Sequence, residues 1–404
     1  MFTKWGIPNN ICDNYPIGRD NLNQFVGHSE KIKFLSDLLS NKAVVILEGE
    51  IGVGKTSLGN VVRHSKKGFF TPLLEIPCKS HWDNDVFMAI ILAAIVKEIM
   101  RKESPHRALK KYKIVKEIHT VFSDVKLINL GISGAGFGIS KGESLSRAAL
   151  INQSLLLDYM FRIGRLLKEN YRKEAPIIIQ LDNLDMGYGF KEEDLMRFFN
   201  EIRDTLQNPF FSWIICGNAN LGPFLKTNVP RVGQLIQHVA VVEPLPFKEI
   251  IAAFRLRIKK ANMKGELPLE RDLLKLIYDL SNGSFREILN IVYQLLIKYY
   301  NEPLVKTITA DHARFFFYDA GQAKMESLKR VKSQFTVFKA ILDHPGIIQQ
   351  DLVKVLNIQQ PNLSRITKQL ETSGYIQIKK RSRSNYYYPD IKLYLGFKGS
   401  GLGR

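Results

Sequence analysis

A short apolar run, Ala43 to Leu47, leads straight into Glu48-Gly49-Glu50-Ile51-Gly52-Val53-Gly54-Lys55-Thr56, which fits the pattern G-x-x-x-x-G-K-[ST]. Glycine suits Gly49, Gly52 and Gly54 because the loop must turn its backbone N–H groups inward around phosphate oxygens, and a Cβ obstructs both the turn and the approach. Lys55 can then reach the β- and γ-phosphates of a nucleotide, and Thr56 can offer its hydroxyl to Mg²⁺. Ser57 to His64 is helix-compatible, so the positive end of a helix dipole would face the same phosphates, with Ser57 in its first turn. The competing reading is a glycine turn with a solvated lysine. An apolar strand before the loop and a helix after it weigh against that, and they point to an α/β domain with a parallel sheet.

Further β-rich runs at Leu73 to Ile76, Ile177 to Leu181 and Trp213 to Cys216 are each followed by a loop and a helical stretch, so the sheet is recruited from distant pieces. The run Ile177 to Leu181 ends in Asp182, and a carboxylate at the tip of a buried strand is suited to hold the hydration shell of Mg²⁺ beside a phosphate loop. Asp182 therefore joins Thr56 as a metal candidate. The next residue, Asn183, is an amide that cannot take a proton from an attacking water, so hydrolysis is expected to be slow. Asp185 either substitutes through a water or caps the loop. Trp213 to Cys216 runs into Gly217-Asn218-Ala219-Asn220, where Asn218, with Asn220 in reserve, is placed to hold a lytic water or the γ-phosphate. A plain Asn-rich turn is the alternative. The stretch 125–142, VKLINLGISGAGFGISKG, reads as a glycine-rich hairpin that either covers a sheet edge or helix or touches DNA or a neighbouring subunit.

After Pro244 and Pro246 the strand signal fades, and KEIIAAFRLRIKKA, LERDLLKLIYDLS and SFREILNIVYQLLIKYY read as helices. The expected boundaries are an α/β nucleotide-binding core at 1–245, a helical lid at 246–323, a basic linker at 324–333, a compact unit at 334–396 and a flexible tail at 397–404. Within the compact unit Phe338, Ile341 and Leu342, then Leu352, Val355 and Leu356, then Leu363, Ile366 and Leu370 fall at helical spacing and can close a three-helix core. Pro361 suits a first helical turn, and Gly374 closes that helix. Tyr375 to Lys380 and Tyr386 to Pro389 can then pair as a hairpin across a basic tip. The pattern resembles a winged helix-turn-helix, and that resemblance implies that Gln360, Asn362, Arg365, Lys368 and Gln369 face a major groove, and Lys379, Lys380, Arg381 and Arg383 phosphates or the adjacent minor groove. The bland alternative is a module for protein contacts with a solvated basic face.

Charge supports the first of these. The chain has 58 Lys and Arg against 39 Asp and Glu, a net charge of +19, and from Arg330 onward there are thirteen basic residues against four acidic. Nearly half the excess thus sits in under a fifth of the chain, which favours a polyanionic partner at that end. The three cysteines, Cys12, Cys78 and Cys216, are too scattered for a disulfide framework or a thiolate zinc site, and the first twenty residues lack the apolar stretch of a secretory signal. A cytoplasmic protein is expected. The longest apolar run, Val86 to Val96, is short of the ~20 residues that cross a bilayer and reads as a buried helix, so no membrane partner is expected.

Together these motifs resemble the AAA+ ATPases, in particular the initiator and loader clade that contains archaeal origin-recognition proteins, followed by a winged helix-turn-helix similar to that of MarR-type regulators. The resemblance implies a P-loop α/β core with a parallel sheet, a helical lid and a winged-helix domain, with ATP and Mg²⁺ as cofactors and double-stranded DNA as partner. Phe25-Val26-Gly27-His28 is similar to the opening motif that packs on adenine, which assigns Phe25 and Val26 to the nucleotide. Asn218 matches sensor 1, Arg231 the arginine finger that reaches a neighbouring subunit in an ATP-dependent homo-oligomer or a protein partner, and Arg286 sensor 2. Asn183 stands where the family has a catalytic glutamate, and His28 where it has an arginine. The expected function is an ATP-switched DNA-binding protein, with slow ATPase chemistry, in replication or in mobile-element transposition or plasmid transactions. A signalling NTPase that regulates transcription or senses phage is the second reading.

Overall fold

Every residue of strand β1 (Val44–Glu48) is buried, as a strand covered on both faces requires. The pleat sorts its side chains: Val45 and Leu47 pack with Leu58 and Val62, while Val44 and Ile46 join a larger cluster on the opposite face. The same alternation runs through β3 (Ile177–Leu184), where Ile178 faces one way and Ile177, Ile179 and Leu181 the other. It continues through β4 (Phe211–Gly217), with Ile214 and Cys216 opposite Trp213 and Ile215. With β2 (Ile76–Pro77) and β5 (Ile236–Val241), these strands form a five-stranded parallel sheet in the order β2-β3-β4-β1-β5. The strand carrying the glycine loop lies between β4 and β5, one place in from the edge of the sheet, and its tip opens on the sheet's carboxyl edge.

A computed structural model describes residues 2–66, 68–124, 153–170, 176–187, 189–381 and 384–398. The hairpin expected at 125–142 lies outside the described residues. The chain divides into two compact units, Tyr15–Glu243 and Met1–Asn14 with Pro244–Arg404.

In the first unit, helices α1 (Ser29–Leu39) and α2 (Lys55–Ser65) cover one face of the sheet. The other is covered by α3 (Asn84–Glu103), α4 (Pro105–Lys111), α5 (Lys113–Asp124), α6 (Gln153–Asn170), α7 (Glu192–Leu206) and α8 (Leu221–Asn228). The apolar run at Val86 to Val96 is the buried body of α3, started by Asp83, whose side chain accepts from Val86 N at 2.8 Å. Trp213 is fully buried between Phe87 and Phe211, with ring centroids 6.0 and 5.7 Å away.

Two strands differ from the sequence reading. The run Leu73 to Ile76 contributes only its last residue to β2, because the carbonyls of Pro72 and Leu73 accept hydrogen bonds from the buried Arg63 guanidinium and not from a neighbouring strand. Strand β5 was not anticipated, since Ile236-Gln237-His238-Val239-Ala240-Val241 is too polar to stand out from a turn.

The second unit contains helices α10 (Phe247–Lys260), α11 (Arg271–Leu280), α12 (Phe285–Tyr300) and α13 (Ala310–Lys329), after the short α9 (Pro230–Gly233) of the first unit. Met1–Asn14 packs here and not in the α/β core. Phe2, Ile7, Ile11 and Cys12 are buried among Phe254, Ile277 and Leu295, Lys4 Nζ donates to the carbonyls of Tyr299 and Glu302 at 2.6 and 2.9 Å, and Arg257 donates to those of Ile11 and Asp13 at 2.7 and 3.0 Å.

The expected linker at 324–333 is mostly helix: α13 runs to Lys329 and sends Met325 and Leu328 into the terminal core. That core is a winged helix made of α14 (Lys332–Asp343), β6 (Ile347–Ile348), α15 (Gln349–Leu356), α16 (Gln360–Thr372), β7 (Ile376–Arg381) and β8 (Ser384–Pro389). A final helix, α17 (Ile391–Phe397), returns to α13, and Gly321 and Gly396 lie so close to Phe397 and the Phe317 backbone that a Cβ at either would sit 2.7 Å from them. Phe397, expected in a flexible tail, is buried. Of the expected three-helix core, Val355 is exposed, because α15 turns Leu352 inward and leaves Val355 on its outer side. Ile347 and Ile348 pair with Tyr387 and Tyr386 as a third strand of the wing.

Candidate nucleotide and nucleic-acid sites

The glycine loop follows β1 without a break. Gly49 sits where a Cβ would be 2.4 Å from the Val242 carbonyl oxygen, and Gly52 and Gly54 have φ of 86° and 99°. Only glycine meets both demands at low cost. Gly54 has no side chain to cap α2, so the first turn of that helix keeps its N–H groups directed at the loop. Lys55 is buried, and its Nζ donates to the carbonyls of Gly49 and Glu50 at 2.9 and 3.0 Å, which holds the ammonium inside the loop. Ser57, expected near a nucleotide, uses its hydroxyl to accept from Ile17 N at 3.0 Å.

Thr56 and Asp182 are 126 positions apart and meet directly, with Thr56 Oγ1 donating to Asp182 Oδ2 at 2.9 Å. Burial pushes the Asp182 carboxyl up to about 6, against the lowering effect of the Thr56 hydrogen bond. A hydroxyl and a carboxylate side by side are the hard oxygen donors that Mg²⁺ accepts while keeping waters and phosphate oxygens for its remaining positions. The residues present therefore fit that ion. Among the described residues no group of three or more His, Cys, Asp or Glu forms a metal cage.

Beneath this pair lies a polar network that the sequence reading missed. Gln180, buried in the middle of β3, donates from Nε2 to the Thr56 carbonyl at 3.2 Å and accepts at Oε1 from Arg63 Nε at 3.1 Å. Arg63, 1% exposed, also donates to Asn60 Oδ1 at 3.0 and 2.7 Å, to Thr71 Oγ1 at 3.1 Å and to the carbonyls of Pro72 and Leu73, and Glu75 lies 3.6 Å away. Gly59 is required for this arrangement, since a Cβ there would be 2.7 Å from the Gln180 amide. The available signal was a lone glutamine inside an otherwise apolar strand. Glu48 is a second omission. Its buried carboxylate accepts from Gly222 N at 2.8 Å and so ties the start of the glycine loop to the first turn of α8.

The remaining candidates are more dispersed. Asn183 is exposed with φ 63°, at a register break between Leu181 and Leu184. Asn218 uses both ends of its amide on Met186, accepting from its N and donating to its O, each at 3.1 Å. It thereby positions the loop after β3. Asn220 is left-handed, with φ 72°, and starts α8. Phe25 packs against the cluster that contains Val53 and Leu58, and Val26 is half-buried next to it, in a turn completed by left-handed Gly27 and His28. Arg231 is exposed on α9. Arg286 is exposed in the first turn of α12, in the second unit.

In the winged helix, α16 buries Leu363, Ile366, Thr367 and Leu370 and leaves Gln360, Asn362, Arg365, Lys368 and Gln369 exposed on the opposite side. Pro361 lies in its first turn, and Gly374, φ 70°, follows its end. Gln369 Oε1 accepts from Gln334 at 3.2 Å, whereas Gln349 donates from Nε2 to Ser364 Oγ at 2.9 Å and accepts at Oε1 from Asn385 at 3.2 Å, linking α15, α16 and the wing. The hairpin is longer than expected, pairing Ile376 with Pro389 through to Arg381 with Ser384. Lys380 and Arg381 end β7, and Arg383 lies outside the described residues. Lys379 does not point into open solvent: its Nζ donates to the Ser281 carbonyl at 2.9 Å.

Residues 332–385 match the MarR family. No curated protein matches the chain. Among solved structures the chain is similar to the Walker-type ATPase of Pyrococcus abyssi, at 12% identity over 95% of this chain and 99% of that one, with a TM-score of 0.49. It is also similar to CDC6P of Pyrobaculum aerophilum, at 14% identity over 96% and 97% of the two chains, with a TM-score of 0.45. The ORC1 protein of Aeropyrum pernix in complex with DNA aligns at 13% identity over 97% and 95%, with a TM-score of 0.42. No helix among the described residues is long and apolar enough to cross a membrane.

Proposed function

We propose that the protein is an ATP-switched, double-stranded-DNA-binding protein of the AAA+ initiator or loader type, acting in replication or in mobile-element transactions. The observation that carries this reading is the meeting of Thr56 and Asp182 at 2.9 Å behind a glycine loop, in a chain that also bears an exposed recognition helix. In this reading the N–H groups of the loop and of the first turn of α2 hold the phosphates, and Lys55 exchanges its two loop carbonyls for phosphate oxygens. Thr56 and Asp182 hold Mg²⁺, which neutralises developing charge on the phosphates when bound. Phe25 and Val26 pack on the base. Arg231 reaches a partner subunit's nucleotide, and Arg286 senses the bound state.

Asn183 cannot take a proton from water, which supports slow turnover and a switch in place of a motor. On the DNA side, Gln360, Asn362, Arg365 and Lys368 read a major groove, while Lys380, Arg381 and Arg383 follow the backbone. The MarR match at 332–385 favours a second reading as a transcription-regulating NTPase. Recovery and sequencing of DNA bound with and without ATP tests both. ATP-dependent recovery of an origin or element end supports the first reading, recovery of promoters selects the second, and absence of any ATP effect on bound DNA refutes the switch.

A further inference from the structure

Lys379 belongs to the wing, where a phosphate contact is expected, yet the structure gives its ammonium another partner. The acceptor is the carbonyl of Ser281, a buried residue that ends α11 and whose oxygen also accepts from Ser284 N at 3.1 Å. A cation at this position is favoured by the negative end of the helix. Two residues earlier on the same strand, Gln377 Nε2 donates to Glu287 Oε1 at 3.0 Å.

The pleat explains why both bonds form together. Ile376 is buried in the winged-helix core and Ile378 packs against it, so the alternate positions, Gln377 and Lys379, face the other way. That outer face meets the corner between α11 and α12, where Asn282 and Gly283 are left-handed with φ of 54° and 73°. Lys379 is half-buried there, 5.5 Å from the Tyr388 ring centroid. Extending it to a DNA backbone draws the ammonium away from Ser281. The exposed Arg286 sits beside Glu287 in the same turn, so the clasp ends on the segment expected to sense nucleotide.

We propose that the Lys379–Ser281 and Gln377–Glu287 bonds clasp the wing to the lid, and that duplex DNA must open this clasp, so that a lid carbonyl and a DNA phosphate compete for one ammonium. The proposal rests on the reading of the terminal unit as a DNA-binding domain. It identifies the free protein as a self-restrained form whose wing contributes less than its full set of phosphate contacts.

Two separate substitutions release the clasp: Glu287→Ala removes an acceptor, and Gln377→Glu sets two carboxylates against each other. Duplex binding by the full chain is measured by fluorescence anisotropy over a salt series, with amide exchange in β7 followed in parallel. Both variants are expected to show faster β7 exchange, several-fold tighter duplex binding and a log–log salt slope steeper by about 0.9, the value for one added phosphate contact. Adding Lys379→Ala to either variant is expected to erase that gain. Unchanged affinity and slope in both variants, unchanged β7 exchange in both, or a gain that survives Lys379→Ala overturns the clasp alone. A parent chain that binds no duplex at any salt overturns the DNA reading and the competition with it.

Discussion

Replacing Arg63 by methionine keeps an unbranched apolar stem in the α2–β3 interface and removes the guanidinium. The loss is large because five acceptors share one guanidinium: Asn60 Oδ1, Gln180 Oε1, Thr71 Oγ1 and the carbonyls of Pro72 and Leu73 all lose a donor in a region where Arg63 is 1% exposed. A buried acceptor left unpaired costs about 1–3 kcal/mol, and breaking a buried charged pair costs about 3–5 kcal/mol. The Thr71 hydroxyl can turn to donate and water can reach some of the other acceptors, so about 3–5 kcal/mol is the expected destabilisation of the α/β unit. An exposed pair in the same unit supplies the control. Lys66 and Asp37, 3.0 Å apart on the surface, should give at most about 1 kcal/mol when Lys66→Met is made. Urea unfolding followed by tryptophan fluorescence reads the unit, because Trp82 and Trp213 are both buried in its core. Since Gln180 also holds the Thr56 carbonyl, Mg²⁺-dependent ATP binding should weaken at urea concentrations where the variant is still folded. An Arg63→Met chain that unfolds within about 1 kcal/mol of the parent would refute the accounting, because burial would then carry no penalty for unpaired acceptors.

Other expectations are more direct. Lys55→Ala should abolish binding of labelled ATP, and undiminished binding would remove the glycine loop from the nucleotide site. Mg²⁺-dependent ATP binding should fall as pH drops through about 6, because Asp182 is raised to about 6 by burial and loses its charge below that value. The sign for stability is opposite. A carboxyl raised above its unfolded value favours the folded state below that unfolded value, and the contribution fades as pH rises through about 6. Asp182→Asn should therefore stabilise the apo protein at pH 8 and remove the pH dependence of Mg²⁺-dependent binding; titration of binding by the variant with the parent's midpoint would assign the effect elsewhere. Reversing Arg381 and Arg383 to Glu should weaken duplex binding and flatten its salt slope. Unchanged affinity and slope would move the DNA contact away from the wing tip.

Much of this molecule was readable in one dimension because the relevant physics is local. Gly49, Gly52 and Gly54 announce a loop that tolerates no Cβ, and an apolar strand ending in Asp182 announces a carboxylate at a sheet edge. Helical periodicity located α16, and counting charges gave the basic surplus an address at the terminal unit. The reading failed where a residue's role depends on a distant partner. No local pattern showed that Thr71, Pro72 and Gln180 close around Arg63, or that Met186 engages both ends of the Asn218 amide.

The sequence alone determined the glycine loop behind its strand, the α/β, helical and winged-helix order, and the location of the positive charge, because backbone sterics, residue periodicity and composition are properties of neighbouring residues. Tertiary structure alone decided that Thr56 meets Asp182 across 126 positions, that the first fourteen residues pack on the helical unit, and that Lys379 is held by Ser281. Those outcomes follow from which buried donor finds which acceptor once the chain has folded, and a pairing between distant residues leaves no mark on the local pattern.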